Sequence, residues 1–133
     1  MPQSYSLNLR SEFREVEKVP DFIEKIDRQL NLDEDLKNRM MLALSEAVTN
    51  AIVHGNQENR EKKVFIKVEV RKDSAIMTVE DQGPGFDPEE VPDPIQPENL
   101  LQPGGRGLYL MEESADKVEY NRDGTLVTLL FNR

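Results

Sequence analysis

The sequence predicts an α+β protein, a two-layer α/β sandwich with a mostly antiparallel sheet and its helices on one face. In five short segments apolar residues alternate with polar ones, which is typical of strands with one buried face. In two longer segments apolar residues recur at steps of three and four, which is typical of amphipathic helices. The resulting order is β-α-α-β-β-loop-α-β-β, and its paired neighbouring strands favour hairpins and therefore antiparallel pairing.

The first strand is predicted at residues 5–10, where Tyr5, Leu7 and Leu9 alternate with polar residues. A helix is expected at about residues 15–30, because its apolar residues fall on one face. A second helix is expected to follow and to run to about His54.

Capping residues set the ends of this second helix. Either Asn31 or Asp33 can cap its start, because both side chains accept hydrogen bonds from free backbone N–H groups. Gly55 and Asn56 are expected to end it. Residues 64–70 and 75–80 then form a predicted hairpin, and residues 117–120 and 126–131 form another.

Residues 84–103 separate the two hairpins and contain six prolines. Such a stretch is too irregular for a strand or a helix, and it is long for a loop inside one domain, so we expect a lid or else a disordered segment. A short helix is expected at residues 105–114. The length suits one domain spanning residues 1–133.

Composition excludes several classes of function. The net charge is −9 and no lysine or arginine cluster is present, which argues against a nucleic-acid binder. The chain has no cysteine, so a disulfide framework and a thiolate metal site are excluded. No apolar run approaches the roughly 18 residues of a membrane-spanning helix. We therefore expect a cytoplasmic protein with no membrane partner.

The first of three segments that carry chemistry lies near the end of the second helix. Glu46, Asn50 and His54 fall on one stripe at 3.6 residues per turn, next to the apolar stripe. Asn50 offers a neutral oxygen to Mg²⁺, and Glu46 offers a carboxylate that can accept a proton. The alternative is an ordinary solvated helix face.

The second segment contains Asp81, Gly83 and Gly85, directly after an apolar strand. Asp81 has the same strand parity as Met77 and Val79, so its carboxylate points inward if that face is buried. A buried carboxylate needs a hydrogen-bond donor, and the amino group of adenine is one, with glycines that leave space for the base. A turn begun by the aspartate explains the segment almost as well.

The third segment is Gly104, Gly105, Arg106 and Gly107, which leads into the short predicted helix. Unobstructed N–H groups at a helix start bind anions, and Arg106 adds a positive charge. The alternative is a hinge followed by a helix start. The segment is not a P-loop, because no Gly-Lys-Ser/Thr sequence follows.

Taken in this order, the three segments resemble the N, G1 and G2 boxes of the Bergerat-fold, or histidine kinase-like, ATPases. The resemblance rests on Glu46-x-x-x-Asn50, Asp81-x-Gly83-x-Gly85 and Gly105-x-Gly107 and covers residues from about 40 to 131. Within that superfamily, the sequence is similar to the anti-sigma-factor serine kinases.

The resemblance implies ATP and Mg²⁺ as cofactors. It implies that Asn50 binds Mg²⁺, that Asp81 recognises adenine and that Glu46 is the catalytic base. The glycines would shape the base and phosphate sites. Thr125 matches the threonine whose hydroxyl supports the adenine-binding carboxylate, although an ordinary strand turn explains it equally well.

The function implied is an ATP-dependent serine/threonine-protein kinase that acts as an anti-sigma factor. Its implied substrate is a small anti-sigma-factor antagonist of the STAS type, and its other partner a sigma factor or another regulator. Related kinases often pair through their sheets, so a homodimer is a further expectation. The alternative function is a nucleotide-gated binding protein with little or no kinase activity. Glu46 favours the kinase, because a pure binder needs no base at that position.

Overall fold

Five strands form one antiparallel sheet in the computed structural model, which describes residues 3–83, 113–121 and 125–133. Their order across the sheet is β1-β2-β3-β5-β4, and every neighbouring pair is antiparallel. The strands are β1 (Gln3–Arg10), β2 (Lys63–Val70), β3 (Ser74–Glu80), β4 (Lys117–Asn121) and β5 (Leu126–Asn132). The predicted strands and their antiparallel pairing are confirmed.

Two α-helices follow β1. A 3₁₀ turn at Phe13–Glu17 leads into α1 (Lys18–Leu30), and α2 spans Glu34–Asn50. Asp33 is the cap of α2, because its side chain accepts a hydrogen bond of 3.4 Å from the N–H of Leu36. Asn31 instead ends α1 in the left-handed conformation, at φ 51°.

The helices cover one face of the sheet. Buried side chains of α1 are Val19, Phe22, Ile23 and Ile26, and those of α2 are Leu36, Met40, Ala43, Leu44, Ala47 and Val48. The sheet contributes Leu9, Val64, Ile66, Val68, Val70, Ala75, Met77, Val79, Val127, Leu129 and Phe131. Each large apolar side chain buried here stabilises the fold by about 1.5–3 kcal/mol. This packing confirms the predicted two-layer sandwich.

The end of α2 departs from the prediction. A regular helix was expected to run to about His54, but from Ala51 to Gly55 the chain forms a wider, π-helical turn. The N–H of Asn56 donates to the carbonyl of Ala51, five residues earlier, at 2.8 Å. Such single wide turns often occur at functional sites.

Several predicted features lie outside the described residues. They are the lid at residues 84–103, most of the short helix at 105–114 and residues 122–124, which connect the two strands of the second predicted hairpin. Within the described part of the chain, every helix is too short or too polar to cross a membrane.

Candidate functional site

The first component of the candidate site is the carboxyl-terminal end of α2. Asn50 is the last residue of this helix, Glu46 lies one turn before it, and both are half-buried. On the adjoining stripe, Ala43 and Ala47 are buried against the core. The predicted polar stripe therefore does border the interior, although His54 at its far end is exposed.

The second component is the end of β3. Asp81 follows this strand directly, and its N–H donates to the carbonyl of Thr125 at 2.9 Å. Its Oδ1 atom accepts a hydrogen bond of 2.8 Å from the N–H of Gly83. Met77 and Val79, which share the parity of Asp81, are buried. The face with this parity is therefore the buried one, which was the condition for an inward-pointing carboxylate, and Asp81 itself is half-buried.

Burial controls the charge of this carboxyl group. Loss of solvent raises the pKa of Asp81 above its ordinary value, and the negative charge of Glu80 acts in the same direction. The N–H of Gly83 and the positive charge of Lys62 oppose the rise. A partly desolvated carboxylate with a raised pKa gains from a further hydrogen-bond donor, such as one on a ligand.

The two components touch through glycines. A Cβ atom placed on Gly55 would overlap the carboxylate of Asp81, and one placed on Gly83 would overlap the backbone oxygen of Gly55. The wide turn after α2 therefore lies against the carboxylate, with no room for a side chain between them. Sequence reasoning assigned Gly55 only to ending the helix and missed this contact.

A buried hydrogen-bond network around Asn56 links the same two components. The side-chain amide of Asn56 donates to Ser11 Oγ at 2.8 Å and to the carbonyl of Lys63 at 3.0 Å. Its Oδ1 atom accepts a hydrogen bond of 2.7 Å from the N–H of Gln82. Sequence reasoning missed Asn56 and Ser11 as well, because nothing in their local patterns shows that the fold buries them together.

Other predicted site residues lie outside the described part of the chain. They are Gly85, Gly104, Gly105, Arg106 and Gly107. Thr125 is described, and its contact to the site is the carbonyl that receives the N–H of Asp81. The structure thus brings together one end of α2, the end of β3 and the start of β5.

The donor set at the helix end fits one particular kind of metal binding. In residues 3–83, 113–121 and 125–133, no three His, Cys, Asp or Glu side chains form a ready-made metal site. A single amide oxygen, that of Asn50, suits Mg²⁺ when phosphate oxygens and waters supply the other ligands. The residues present therefore fit a magnesium ion that arrives with a nucleotide.

The fold and the site together define a class of protein. A two-layer α+β domain with an antiparallel sheet, in which a half-buried carboxylate at a strand end meets the turn that follows a helix ending in asparagine, has the architecture of a Bergerat-type ATPase domain. Comparison with protein families supports this class, because residues 9–131 match the histidine kinase-like ATPase domain.

Curated relatives of the chain are bacterial regulators. It is 35% identical over 116 residues to the anti-sigma F factor of Bacillus subtilis (strain 168), covering 84% of this chain and 75% of the relative. It is 37% identical over 105 residues to the anti-sigma F factor of Clostridium perfringens (strain 13 / Type A), covering 76% and 71%. It is 36% identical over 103 residues to the serine-protein kinase RsbW of Bacillus subtilis (strain 168), covering 72% and 62%.

The chain therefore belongs to the histidine kinase-like ATPase domain family. Membership of this family implies that it binds a nucleotide.

Proposed function

We propose that this protein is an ATP-dependent serine kinase that acts as an anti-sigma factor and phosphorylates a small antagonist protein. The observation that supports the proposal is the close approach of Gly55, in the wide turn after α2, to the carboxylate of Asp81, because that turn begins directly after Asn50, the candidate magnesium ligand. The names of the relatives, anti-sigma F factor and serine-protein kinase, support the same function.

Asp81 is proposed to bind adenine. Its carboxylate accepts one hydrogen bond from Gly83 and keeps other lone pairs for the amino group of the base. Adenine presents a donor at this position and guanine presents an acceptor, so a carboxylate here selects adenine. Thr125 and Gly85 are proposed to shape the same pocket.

Asn50 and the glycine segment are proposed to bind the phosphates. Asn50 would hold Mg²⁺, which when bound neutralises phosphate charge during transfer. Gly104, Gly105 and Gly107 would offer backbone N–H groups, and Arg106 a positive charge. These four residues enter the proposal from the sequence alone.

Glu46 is proposed to be the catalytic base. It lies one helical turn from Asn50 on the same stripe of α2, which would place its carboxylate near the γ-phosphate. The substrate serine oxygen would attack the γ-phosphorus, the bond from that phosphorus to the bridging oxygen would break, and ADP would leave. The serine proton would pass to Glu46.

The remaining partners follow from the same proposal. The substrate would be a STAS-type antagonist, and the competing partner would be a sigma factor, which places the protein in the cytoplasm. A homodimer is also proposed. The face of the sheet away from the helices supports it, because Ile76 and Leu130 are paired neighbours there and only half-buried.

The test measures transfer of labelled γ-phosphate to an antagonist encoded in the same genome. We expect Glu46→Gln to slow transfer by about 10²–10⁴-fold while Mg²⁺-ATP still stabilises the protein. Saturation at about 100 times the dissociation constant should raise the free energy of unfolding by about 2.7 kcal/mol. Glu34→Gln, an exposed glutamate in the first turn of the same helix, is the matched control.

Each alternative result has a defined meaning. If Mg²⁺-ATP gives no stabilisation, the chain has no nucleotide site and the proposal fails. If the wild type forms an ATP-dependent complex with its partner but transfers no phosphate, the protein is a nucleotide-gated binder. Equal transfer by Glu46→Gln and wild type would remove Glu46 from the role of base.

A further inference from the structure

Asn56 is a buried polar residue whose side-chain amide is hydrogen-bonded at both ends, and the sequence assigned it only to ending the second helix. Its exposed fraction is 1%. Both donors of its amide group are used, one by Ser11 Oγ and one by the carbonyl of Lys63, and its oxygen accepts from Gln82. The backbone carbonyl of Lys63 can only accept a hydrogen bond, and the backbone N–H of Gln82 can only donate one. These two partners therefore fix the orientation of the Asn56 amide.

The bond to Gln82 acts on the chain next to Asp81. The N–H of Gln82 belongs to the peptide group that follows Asp81, so holding it fixes the backbone on the carboxyl side of that residue. The N–H groups on either side are also bonded, that of Asp81 to the carbonyl of Thr125 and that of Gly83 to the Asp81 carboxylate. Of these three successive N–H groups, the middle one is held by a side chain from another element.

Ser11 anchors the other end of this connection. Its hydroxyl accepts from Asn56 and donates to the carbonyl of Lys62 at 2.8 Å, and it is completely buried. The residue lies just beyond the end of β1, so the network extends from the first strand through Asn56 to the end of β3. A buried network in which every member is satisfied gives one defined arrangement, because any other leaves a polar group unpaired.

We propose that Asn56, anchored by Ser11, is a positioning residue that holds the Asp81 carboxylate in the direction that accepts the amino group of adenine. It therefore sets the preference of the site for adenine nucleotides over purine nucleotides that carry an oxygen at that position. Asn56 makes no contact with the base in this role and acts through the peptide group of Gln82. The inference rests on the proposed function, because it requires Asp81 to bind adenine.

The test compares ADP with inosine diphosphate, in which the amino group of the base is replaced by an oxygen. Calorimetry gives both dissociation constants for each variant, and their ratio is the readout. In the wild type, ADP should bind tighter by about tenfold or more, because the oxygen of the analogue cannot donate to the carboxylate. A residue with a purely structural role would weaken both nucleotides equally and leave this ratio unchanged.

Asn56→Ala is the main variant. We expect the ADP preference to fall by about fivefold or more, while the dissociation constant for inosine diphosphate changes by less than about threefold. Asn59→Ala is the matched control, because this exposed asparagine lies in the same loop and its side-chain oxygen accepts from the N–H of Glu61. The control should keep the wild-type preference.

Ser11→Ala keeps the inference testable if Asn56→Ala does not fold. In the wild type the carbonyl of Lys62 also accepts from the backbone N–H of Ser11 at 3.2 Å, and this bond needs no side chain, so we expect the backbone pairing to survive in the variant. The ADP preference should fall here also. An unchanged ratio in whichever of these two variants folds overturns the inference.

Asp81→Asn separates the inference from the function on which it rests. If Asp81→Asn removes the ADP preference and the Asn56 and Ser11 variants retain it, the positioning role is wrong and the adenine site stands. If Asp81→Asn itself leaves the preference intact, or the wild type shows none, the proposed adenine site is wrong.

Discussion

Gly55 lies directly against the carboxylate of Asp81, so closely that a methyl group on the glycine would overlap it. The two residues come from the end of a helix and the end of a strand and are distant in the sequence. Gly55 is not in the left-handed conformation that usually explains a glycine after a helix. The absence of a side chain at Gly55 therefore leaves room for the carboxylate of Asp81.

Substitution of the two glycines at this contact should have different effects. In Gly55→Ala the new methyl group meets the end of a side chain, which can rotate away, so nucleotide affinity should fall by about tenfold or more while stability changes little. In Gly83→Ala the new methyl group meets the backbone oxygen of Gly55, so the free energy of unfolding should fall by about 1–3 kcal/mol.

Urea denaturation and ADP titration of both variants check this contrast. A large stability loss in Gly55→Ala with full affinity would show that the carboxylate does not move aside as expected.

The raised pKa of Asp81 predicts a pH-dependent stability difference. The folded-state pKa of Asp81 lies above the unfolded value of about 3.9. The contribution of this carboxyl group to the free energy of unfolding is therefore fully present below the unfolded pKa, and it is lost as the pH rises through the folded-state pKa. Asp81→Asn cannot ionise, so it avoids this loss of stability, and it retains a side-chain oxygen that can accept from the N–H of Gly83. The variant should therefore be more stable than wild type at neutral pH and bind ADP less tightly.

Denaturation curves for both proteins between about pH 4 and 8 provide the measurement, and the difference should shrink toward the acid end. A stability difference that stays constant over this range would contradict the assigned pKa shift.

Asn50 should determine the effect of magnesium on nucleotide binding. In the wild type, Mg²⁺ is expected to raise the affinity for ATP, whereas in Asn50→Ala the two affinities, with and without Mg²⁺, should agree within about threefold. Asn38→Ala, an exposed asparagine on the same helix, is the control and should behave as wild type. Isothermal titration with and without EDTA makes the comparison, and a retained magnesium effect in Asn50→Ala would assign the ion elsewhere.

Arg39 should affect stability without affecting the site. Its guanidinium bonds to Asp35 at 3.0 Å and lies 3.5 Å from Asp116 and 5.9 Å from the centre of the Phe131 ring. Lysine cannot reproduce these planar contacts, so Arg39→Lys should lower the free energy of unfolding by about 0.5–1.5 kcal/mol.

Arg28→Lys, at an exposed position in the last turn of α1, should leave stability unchanged within about 0.5 kcal/mol. ADP affinity should be the same in both arginine variants. Equal stability of the two variants would show that the contacts of Arg39 contribute nothing measurable.

Local sequence pattern predicted the strands and the shared parity of Asp81 with Met77 and Val79, because side chains alternate between the two faces of a strand with period two. Which of the two faces is buried is decided by the structure. It also predicted both helices, and it left open whether Asn31 or Asp33 caps the second. The structure decides for Asp33, because Asn31 is used to end α1 in the left-handed conformation. Choices of this kind depend on where the preceding helix stops.

The sequence did not predict the contacts that join the helix end to the strand end. The wide turn after α2 contains no unusual residue that marks it, and its hydrogen bond from Asn56 to Ala51 is accompanied by side-chain bonds to three other segments of the chain. Ser11 and Asn56 are 45 positions apart. Only the assembled sheet brings them together, so no local pattern can reveal their partnership.

The wide turn makes the spacing between Asn50 and Gly55 as important as the identity of either residue. Deleting one residue there, with the geometry of the rest of the helix and turn kept, would rotate everything beyond the deletion by about 100° around the helix axis. Gly55 would then leave the carboxylate and a bulkier neighbour would take its place. Anyone transplanting this site into another scaffold would therefore have to move the interval from Asn50 to Asn56 as one unit of unchanged length.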